Sequence, residues 1–187
     1  MAIRYKAWVL ALLCGVLATP AMASDEGAYV SLSLGNSNVI NGCQAAPLVG
    51  TGCSDKTGFS YRATYGYQYT PTWALEASYG KLGSASGGGY LLLALGLSVT
   101  ATATLHLGDT LAVYVKGGFV RAELKESGTY YSSSSMNRPI IGAGIEYSVT
   151  PQFAIRLQGD HFGIYDLGHG GPKIQLLANS IVFVEKY

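Results

Sequence analysis

The feature that most restricts the fold is a two-residue repeat of apolar side chains. Between residues 91 and 107 every second residue is apolar, and the residues between them are mostly small or hydroxylated. The apolar positions are Leu93, Leu95, Leu97, Val99, Ala101, Ala103 and Leu105, and the alternate positions include Gly96, Ser98, Thr100, Thr102 and Thr104. Because successive side chains of a strand point to opposite faces, this pattern predicts a long strand with one apolar and one polar face.

Seven further segments show the same alternation and predict seven more strands. They span residues 27–35, 58–69, 73–82, 111–124, 139–149, 153–162 and 173–187. The last segment alternates least clearly, so the sequence leaves its register open. No stretch after the N-terminal segment approaches the roughly 20 consecutive apolar residues that a membrane-spanning helix needs. The chain is therefore expected to be all-β.

The segments between these strands alternate between short and long. The short connections are residues 70–72, 108–109 and 150–152, and the long ones are residues 36–57, 83–90, 125–138 and 163–172. Short turns at one end and longer loops at the other are typical of outer-membrane barrels, in which the short turns face the periplasm. The pattern predicts eight up-and-down antiparallel strands with both chain ends on the periplasmic side.

The composition distinguishes a barrel in lipid from a soluble one. Charged residues make up 12% of the chain, against roughly 25% in ordinary soluble domains. A soluble barrel such as a lipocalin needs a charged exterior, whereas here the apolar face carries Tyr, Trp, Phe and Leu and the polar face mainly Gly, Ser and Thr. A closed barrel also satisfies every backbone amide in lipid. The sequence therefore predicts an eight-stranded antiparallel up-and-down transmembrane β-barrel.

Aromatic residues lie near both ends of the predicted strands. Those beside the short turns are Tyr67, Tyr69, Trp73, Tyr147 and Phe153. Those nearer the long loops are Phe59, Tyr61, Tyr79, Tyr90 and Phe119. Aromatic belts at the two lipid–water interfaces have this distribution, so it supports the prediction of a transmembrane barrel.

Residues 1–23 have the pattern of a secretory signal peptide. Two basic residues precede an apolar run over residues 7–18, and a small-x-small cleavage site ends at Ala23. A transmembrane helix is the alternative, but the run is too short to span a bilayer and ends near Pro20. Residues 24–187 are then the barrel domain, exported to the bacterial outer membrane.

Two cysteines remain after this cleavage, Cys43 and Cys53, and both lie in a stretch rich in Gly, Asn, Ser and Pro. In the oxidising periplasm they are expected to form a disulfide. Closing so short a loop contributes roughly 2–3 kcal/mol through chain entropy. A metal or redox motif is the rival interpretation, and their spacing does not match one.

Five charged residues fall on the polar face of their strands and are expected to point into the lumen. They are Arg62, Glu76, Lys116, Glu146 and Arg156. Counting across the turn at 150–152 predicts that Glu146 faces Arg156 on the neighbouring strand. Glu76 and Lys116 are expected to join them in one layer of alternating charge. Such a layer is either a paired polar core or an ion path, and the need to pair buried charges favours the core.

Three segments resemble the OmpA-like family of eight-stranded outer-membrane barrels. They are YGYQYTPTWALEASYG at residues 65–80, LAVYVKGGFVRA at residues 111–122 and GAGIEYSVTPQFAIRL at residues 142–157. The resemblance covers essentially the whole chain after the signal peptide. It implies inward carboxylate and guanidinium groups at Glu76, Glu146 and Arg156, with a basic residue at Lys116.

The resemblance also implies a C-terminal aromatic signal that the barrel-assembly machinery reads. Phe183 and Tyr187 are assigned to it, although the third residue from the end, usually aromatic in the family, is Glu185. The family's peptidoglycan-binding domain is not expected, because the sequence stops at Tyr187. The expected state is a monomer in the lipids and lipopolysaccharide of the outer membrane. Nucleic acid is not expected as a partner, since no basic stripe is present.

Some small outer-membrane barrels modify lipid A, and such a deacylase needs a Ser–His pair with an orienting acid. The three histidines are His106, His161 and His169, and the His-x-Ser motif of the lipid A 3-O-deacylases is missing. A metal site that combines the last two histidines with Asp160 and Asp166 is less favoured than solvated loop side chains. The sequence therefore predicts a non-enzyme with no cofactor and no metal.

The remaining function classes are a surface-interaction barrel and a small channel. The predicted loop at 125–138 contains Tyr130, Tyr131 and a run of four serines, and Tyr with Ser is adaptable recognition chemistry. We therefore expect a structural or surface-interaction role, with the long loops contacting host or surface ligands. A small ion channel or porin is the alternative, although side chains fill most of an eight-stranded lumen.

Overall fold

Eight antiparallel strands close into one barrel in this computed structural model of the chain. The structure describes residues 26–40, 57–87, 90–127, 132–165 and 174–187. The strands are β1 (Gly27–Ile40), β2 (Thr57–Gln68), β3 (Trp73–Gly87), β4 (Tyr90–His106), β5 (Leu111–Ser127), β6 (Ser132–Ser148), β7 (Phe153–Tyr165) and β8 (Ile174–Lys186). Each strand pairs with its neighbours in sequence, and β1 pairs with β8. The predicted fold class is confirmed.

Within the described ranges there is no helix long and apolar enough to cross a membrane.

Tight turns join the strands at one end of the barrel, which we call the turn end. The turns after β2 and β6 are equivalent, as their Thr-Pro-x-aromatic sequences suggest. The Trp73 N–H donates to Thr70 Oγ1 at 3.0 Å, and the Phe153 N–H donates to Thr150 Oγ1 at 2.9 Å. The proline after each threonine presets the turn dihedral and removes an N–H that the ladder does not need there. These turns hold the register of the β2–β3 and β6–β7 pairs.

At the opposite end, the loop end, the strands continue further than the alternation predicts. The prediction of a long loop at 83–90 is wrong, because β3 reaches Gly87 and β4 begins at Tyr90. Most of the predicted loop at 125–138 is also strand, since β5 and β6 pair as far as Glu126 and Ser132. In these extensions the strands remain paired although they lack an apolar face. Beyond the membrane both faces of a strand can be polar, and pairing still satisfies the backbone hydrogen bonds.

The two faces of the barrel carry the residues that the alternation assigned to them. Large apolar side chains are exposed on the outside, and Phe119 is the most exposed of those described, at 72%. The inner face is lined by buried Gly, Ser and Thr with a few larger residues. For β8, whose register the sequence left open, the structure places Ala178, Ser180, Val182 and Val184 inside. Val182 lies opposite Arg156 on β7 and Ser33 on β1.

Candidate functional site

The lumen nearest the turn end contains two carboxylates and two cations in mutual contact: Glu76, Glu146, Arg156 and Lys186, the turn-side cluster. Arg156 Nε lies 2.6 Å from Glu146 Oε2, and Arg156 Nη1 lies 3.0 Å from Glu76 Oε1. Lys186 Nζ donates to Glu146 Oε1 at 2.9 Å. The formal charges of the four residues cancel. The Arg156 guanidinium joins its own strand, β7, to β3 and β6 through charge-assisted hydrogen bonds.

Two tyrosines and a threonine complete the surroundings of Arg156 and Glu76. The Tyr29 hydroxyl donates to Glu76 Oε1 at 2.7 Å, and Thr100 Oγ1 donates to Oε2 at 3.4 Å. The Arg156 guanidinium carbon lies 5.3 Å from the ring centroid of Tyr29 and 5.0 Å from that of Tyr114. A cation within about 6 Å of an aromatic ring face is attracted by its quadrupole. Hydrogen bonds and rings together compensate the desolvation of the buried guanidinium.

The next layer towards the loop end has the opposite stoichiometry. Asp160 is shared by Arg62 and Lys116, and these three residues form the loop-side cluster. Arg62 contacts Asp160 Oδ2, and Lys116 Nζ lies 3.2 Å from Oδ1. Two buried cations on one carboxylate leave a formal excess of one positive charge. Arg62 Nη1 is buried without a hydrogen-bond partner within the described part of the chain.

Gln158 connects the two clusters. Its Oε1 accepts from the Tyr114 hydroxyl at 2.9 Å, and its Nε2 donates to Asp160 Oδ2 at 2.6 Å. Tyr114 in turn lies against Arg156. A continuous series of polar contacts therefore runs along the inside of the barrel from Lys186 to Arg62.

Inward glycines provide the space that these long side chains occupy. A methyl group on Gly66 would overlap the Tyr29 ring, and one on Gly144 would overlap the end of Tyr114. A methyl group on Gly142 would overlap the Asp160 carboxylate. Large side chains thus lie over glycines of the neighbouring strands, their register partners, which is how a narrow barrel interior reaches a dense packing.

Apolar side chains fill the lumen beyond the loop-side cluster. Leu82, Val120, Ile140 and Phe162 are almost completely buried there. The Arg62 guanidinium carbon lies 5.2 Å from the Phe162 ring centroid, so the apolar layer packs directly on the charged one. In the described strands the lumen is therefore filled first by ion pairs and then by hydrocarbon.

The structure brings the five expected lumen residues inside, but not into one layer. Glu146 and Arg156 are register partners on β6 and β7 and form an ion pair. Glu76 and Lys116 contact different central groups, while their charges still act on each other. The single layer that was expected is therefore two coupled clusters. The reason is reach: the long Arg156 side chain crosses the lumen to Glu76, while Lys116 extends to Asp160 across Gly142, its register partner on β6.

Several residues of the network were not assigned to it from the sequence, among them Asp160, Lys186 and Tyr29. Asp160 has the inward parity of β7, which was a usable signal. Lys186 was missed because the register of β8 was open. Tyr29 could have been found from the sequence, because it is the one aromatic residue among the small residues on the polar face of β1. Its hydroxyl contacts Glu76.

Several other predicted positions lie outside the described residues. These are Cys43, Cys53, Tyr130, Tyr131, Asp166 and His169. Of the remaining histidines, His106 is exposed at the turn end and His161 is half-buried on the outer face of β7. Within the described ranges no group of three or more His, Cys, Asp or Glu residues is placed to hold a metal ion.

The two residues assigned to the C-terminal signal lie at the seam of the barrel. Phe183 faces outward on β8 and stacks on Phe153 of β7 with ring centroids 6.5 Å apart. The Tyr187 N–H donates to the Ala28 carbonyl oxygen at 2.9 Å, which ties the end of β8 to β1. Their role in recognition by the assembly machinery remains a prediction.

A closed antiparallel barrel with an apolar exterior, two aromatic belts and a charged interior is the architecture of transmembrane barrels of the bacterial outer membrane. The model of the family described as "Outer membrane protein beta-barrel domain" matches residues 9–178. The chain belongs to this family, and it is an outer-membrane protein surrounded by the lipids and lipopolysaccharide of that membrane.

Known relatives agree with this assignment. Outer membrane protein A of Escherichia coli O157:H7 is 33% identical over 101 residues, which cover 50% of this chain and 29% of the relative. The chain thus matches less than a third of that relative's length, and the resemblance to OmpA-like barrels is confirmed for the barrel domain.

Solved structures show the same fold at low sequence identity. Neisserial surface protein A has a TM-score of 0.64 at 14% identity, with 86% of this chain and 97% of that chain covered. The N-terminal barrel of OprF from Pseudomonas aeruginosa has a TM-score of 0.56 at 18% identity, with coverages of 85% and 98%. The attachment invasion locus protein of Yersinia pestis has a TM-score of 0.54 at 19% identity, with coverages of 85% and 99%.

Proposed function

We propose that this barrel is a non-enzymatic surface protein that contacts molecules outside the cell through its loop end. The observation that carries the proposal is the length of the β5–β6 hairpin. From Val120 to Ser127, β5 continues past Phe119 of the outer aromatic belt. At about 3.3 Å per residue and a tilt near 40°, this extension rises roughly 20 Å above the belt.

The side chains on this extension support exposure to water rather than lipid. On its outer face Glu123, Lys125, Ser135 and Asn137 are all exposed. Further from the membrane, β6 begins with a run of serines that pairs with β5. A polar, paired hairpin above the membrane is a rigid platform for the residues at its tip, where Tyr130 and Tyr131 are located in the sequence. Rigid elements position contact residues more precisely than free loops do.

Shortening this hairpin tests the proposal. Leu124 and Ser134 are register partners, so residues 125–133 can be replaced by Asn-Gly, which favours a two-residue hairpin turn. A matched control replaces residues 85–92 by Asn-Gly between Ser84 and Leu93, which are register partners on β3 and β4. Cells that express each variant are compared with wild-type cells for binding to cultured epithelial monolayers.

We expect the β5–β6 variant to lose binding and the β3–β4 variant to retain it. Both should remain folded, as shown by compact migration on unheated gels. Equal binding by the two variants, or binding of wild-type cells no greater than that of cells without the protein, would contradict the proposal.

The alternative is a small ion channel, and the continuous polar contacts from Lys186 to Arg62 are the observation in its favour. The buried side chains of Leu82, Val120, Ile140 and Phe162 argue against an open path. Planar-bilayer recordings distinguish the two functions. A filled lumen predicts no steady conductance steps, whereas regular, sizeable steps would support the channel.

A further inference from the structure

Charged side chains on the outside of the barrel are distributed unevenly. Among the outward-facing strand residues that the structure describes, the charged side chains at the loop end begin just above the outer aromatic belt and are Lys81, Arg121, Glu123 and Lys125. All four lie on β3 and β5, on either side of β4. Three cations and one carboxylate give this part of the wall a positive charge where the lipid headgroups begin.

A groove lies between these residues. Its volume is about 380 Å³, and its lining residues include Tyr79, Leu95, Leu97, Arg121, Glu123 and Ser135. The register sets its shape: Tyr79 and Arg121 both pair with Leu97, from opposite sides. Tyr79 and Arg121 are thus two strands apart, about 10 Å between Cα atoms. The groove has a leucine floor, an aromatic wall at Tyr79 and a polar wall that carries Arg121, Glu123 and Ser135.

The cations of the groove are only partly neutralised. Lys125 Nζ lies 3.5 Å from Glu123 Oε1, and both side chains are about half exposed. Neither Lys81 nor Arg121 has an ion-pair partner within the described ranges. Lys81 flanks the floor, because it pairs with Leu95 on β4. Arg121 lines the groove and Lys81 is at its edge. Two cations this close together are suited to a phosphate group, which a guanidinium can bind with two hydrogen bonds.

The apolar floor extends from this groove down the membrane-facing wall. Val99 and Ala101 follow Leu97 on the outward face of β4 towards the turn end, and Val99 is 51% exposed. A molecule that contacts both the cations and the apolar floor needs a phosphate at the level of the aromatic belt and acyl chains below it. Free phosphate would use only the cations and leave the leucine floor uncovered.

We infer that the groove formed by Tyr79, Leu95, Leu97 and Arg121, with Lys81 at its edge, binds the phosphorylated headgroup of a membrane lipid of the outer leaflet. The phosphate is held between Arg121 and Lys81, and the acyl chains lie along β4. Glu123 opposes this binding, because its carboxylate lies on the same wall as Arg121. Because the groove contacts both the phosphate and the acyl chains, the lipid is expected to stay bound to this face of the barrel.

Native mass spectrometry of the full-length protein in detergent micelles tests the assignment. The three probes are bisphosphorylated lipid A, the same lipid with its phosphates removed, and inorganic phosphate. The wild-type protein should retain the bisphosphorylated lipid selectively. We expect the K81Q/R121Q variant to retain it on the order of twentyfold less, since each cation near a charged membrane surface contributes about fivefold. E123Q should retain it more strongly than wild type.

Lipid retention should fall in K81Q/R121Q and rise in E123Q. A loss of folding would instead lower retention in both variants. N179Q on β8, an exposed outward residue on another face of the barrel, serves as a control and should bind as wild type does. Equal retention of the phosphorylated and phosphate-free lipids would overturn the inference. Equal retention by wild type and K81Q/R121Q would also overturn it, as would competition by inorganic phosphate at the lipid's own concentration, which would indicate a free-phosphate site.

Discussion

The two charged clusters of the lumen both pair buried charges, but with opposite ratios of cations to carboxylates around the central group. In the turn-side cluster one guanidinium, Arg156, is bound by two carboxylates, and a second cation balances the sum. In the loop-side cluster one carboxylate, Asp160, is bound by two cations, and no second carboxylate contacts either cation in the described strands. The comparison indicates that the stability of a buried ion network depends most on its central, shared group. Removing a peripheral member should change the stability according to the net charge that remains in the cluster.

The largest effect is expected from removing the shared group of the turn-side cluster. In R156M the Glu76 carboxylate loses its only ion-pair partner within the described structure, while Glu146 keeps Lys186. Leaving a buried charge uncompensated costs about 3–5 kcal/mol. We expect a loss of this size in the free energy of unfolding, measured by urea titration in detergent micelles.

A double variant separates the loss of charge balance from the loss of packing. R156M combined with E76Q removes the uncompensated carboxylate and leaves Glu146 paired with Lys186, so it should recover most of the lost stability. If the double variant is as unstable as R156M, the guanidinium acts through packing on Tyr29 and Tyr114, and the electrostatic account of this cluster is wrong.

A smaller effect is expected from filling the space above an inward glycine. In G66A the new methyl group displaces the Tyr29 ring and with it the hydrogen bond from its hydroxyl to Glu76. Overpacking of this kind costs about 1–3 kcal/mol. The control is G117A, because a methyl group on Gly117 meets no atom within 4 Å. Equal unfolding free energies for the two alanine variants would refute the interlock between Tyr29 and Gly66.

The smallest effect is expected at the excess cation of the loop-side cluster. K116M leaves Asp160 with Arg62 alone, a neutral pair, so the unfolding free energy should change by less than about 1 kcal/mol or increase. K186M provides the comparison in the turn-side cluster, where it removes a cation from a neutral group and should destabilise. A larger loss in K116M than in K186M would show that a further negatively charged group balances the loop-side excess.

Much of the fold was predictable because its determinants are local. Alternation at a period of two assigns each residue to the lipid or the lumen without reference to any other strand. This was sufficient for eight strands, both aromatic belts and the inward direction of Arg62, Glu76 and Lys116. Prediction failed where that signal ends: β3, β5 and β6 continue into polar sequence in which backbone pairing alone maintains the strand.

The sequence by itself determined what faces inward, and only the tertiary structure decided which inward groups meet. Glu146 and Arg156 are joined by a tight turn, so counting residues was sufficient to pair them. Tyr29 meets Glu76, and Arg62 meets Asp160, across 47 and 98 residues of chain. Contacts across the lumen depend on barrel diameter, strand tilt and side-chain length together. These quantities exist only once the eighth strand has paired with the first, which is why sequence spacing could not supply them.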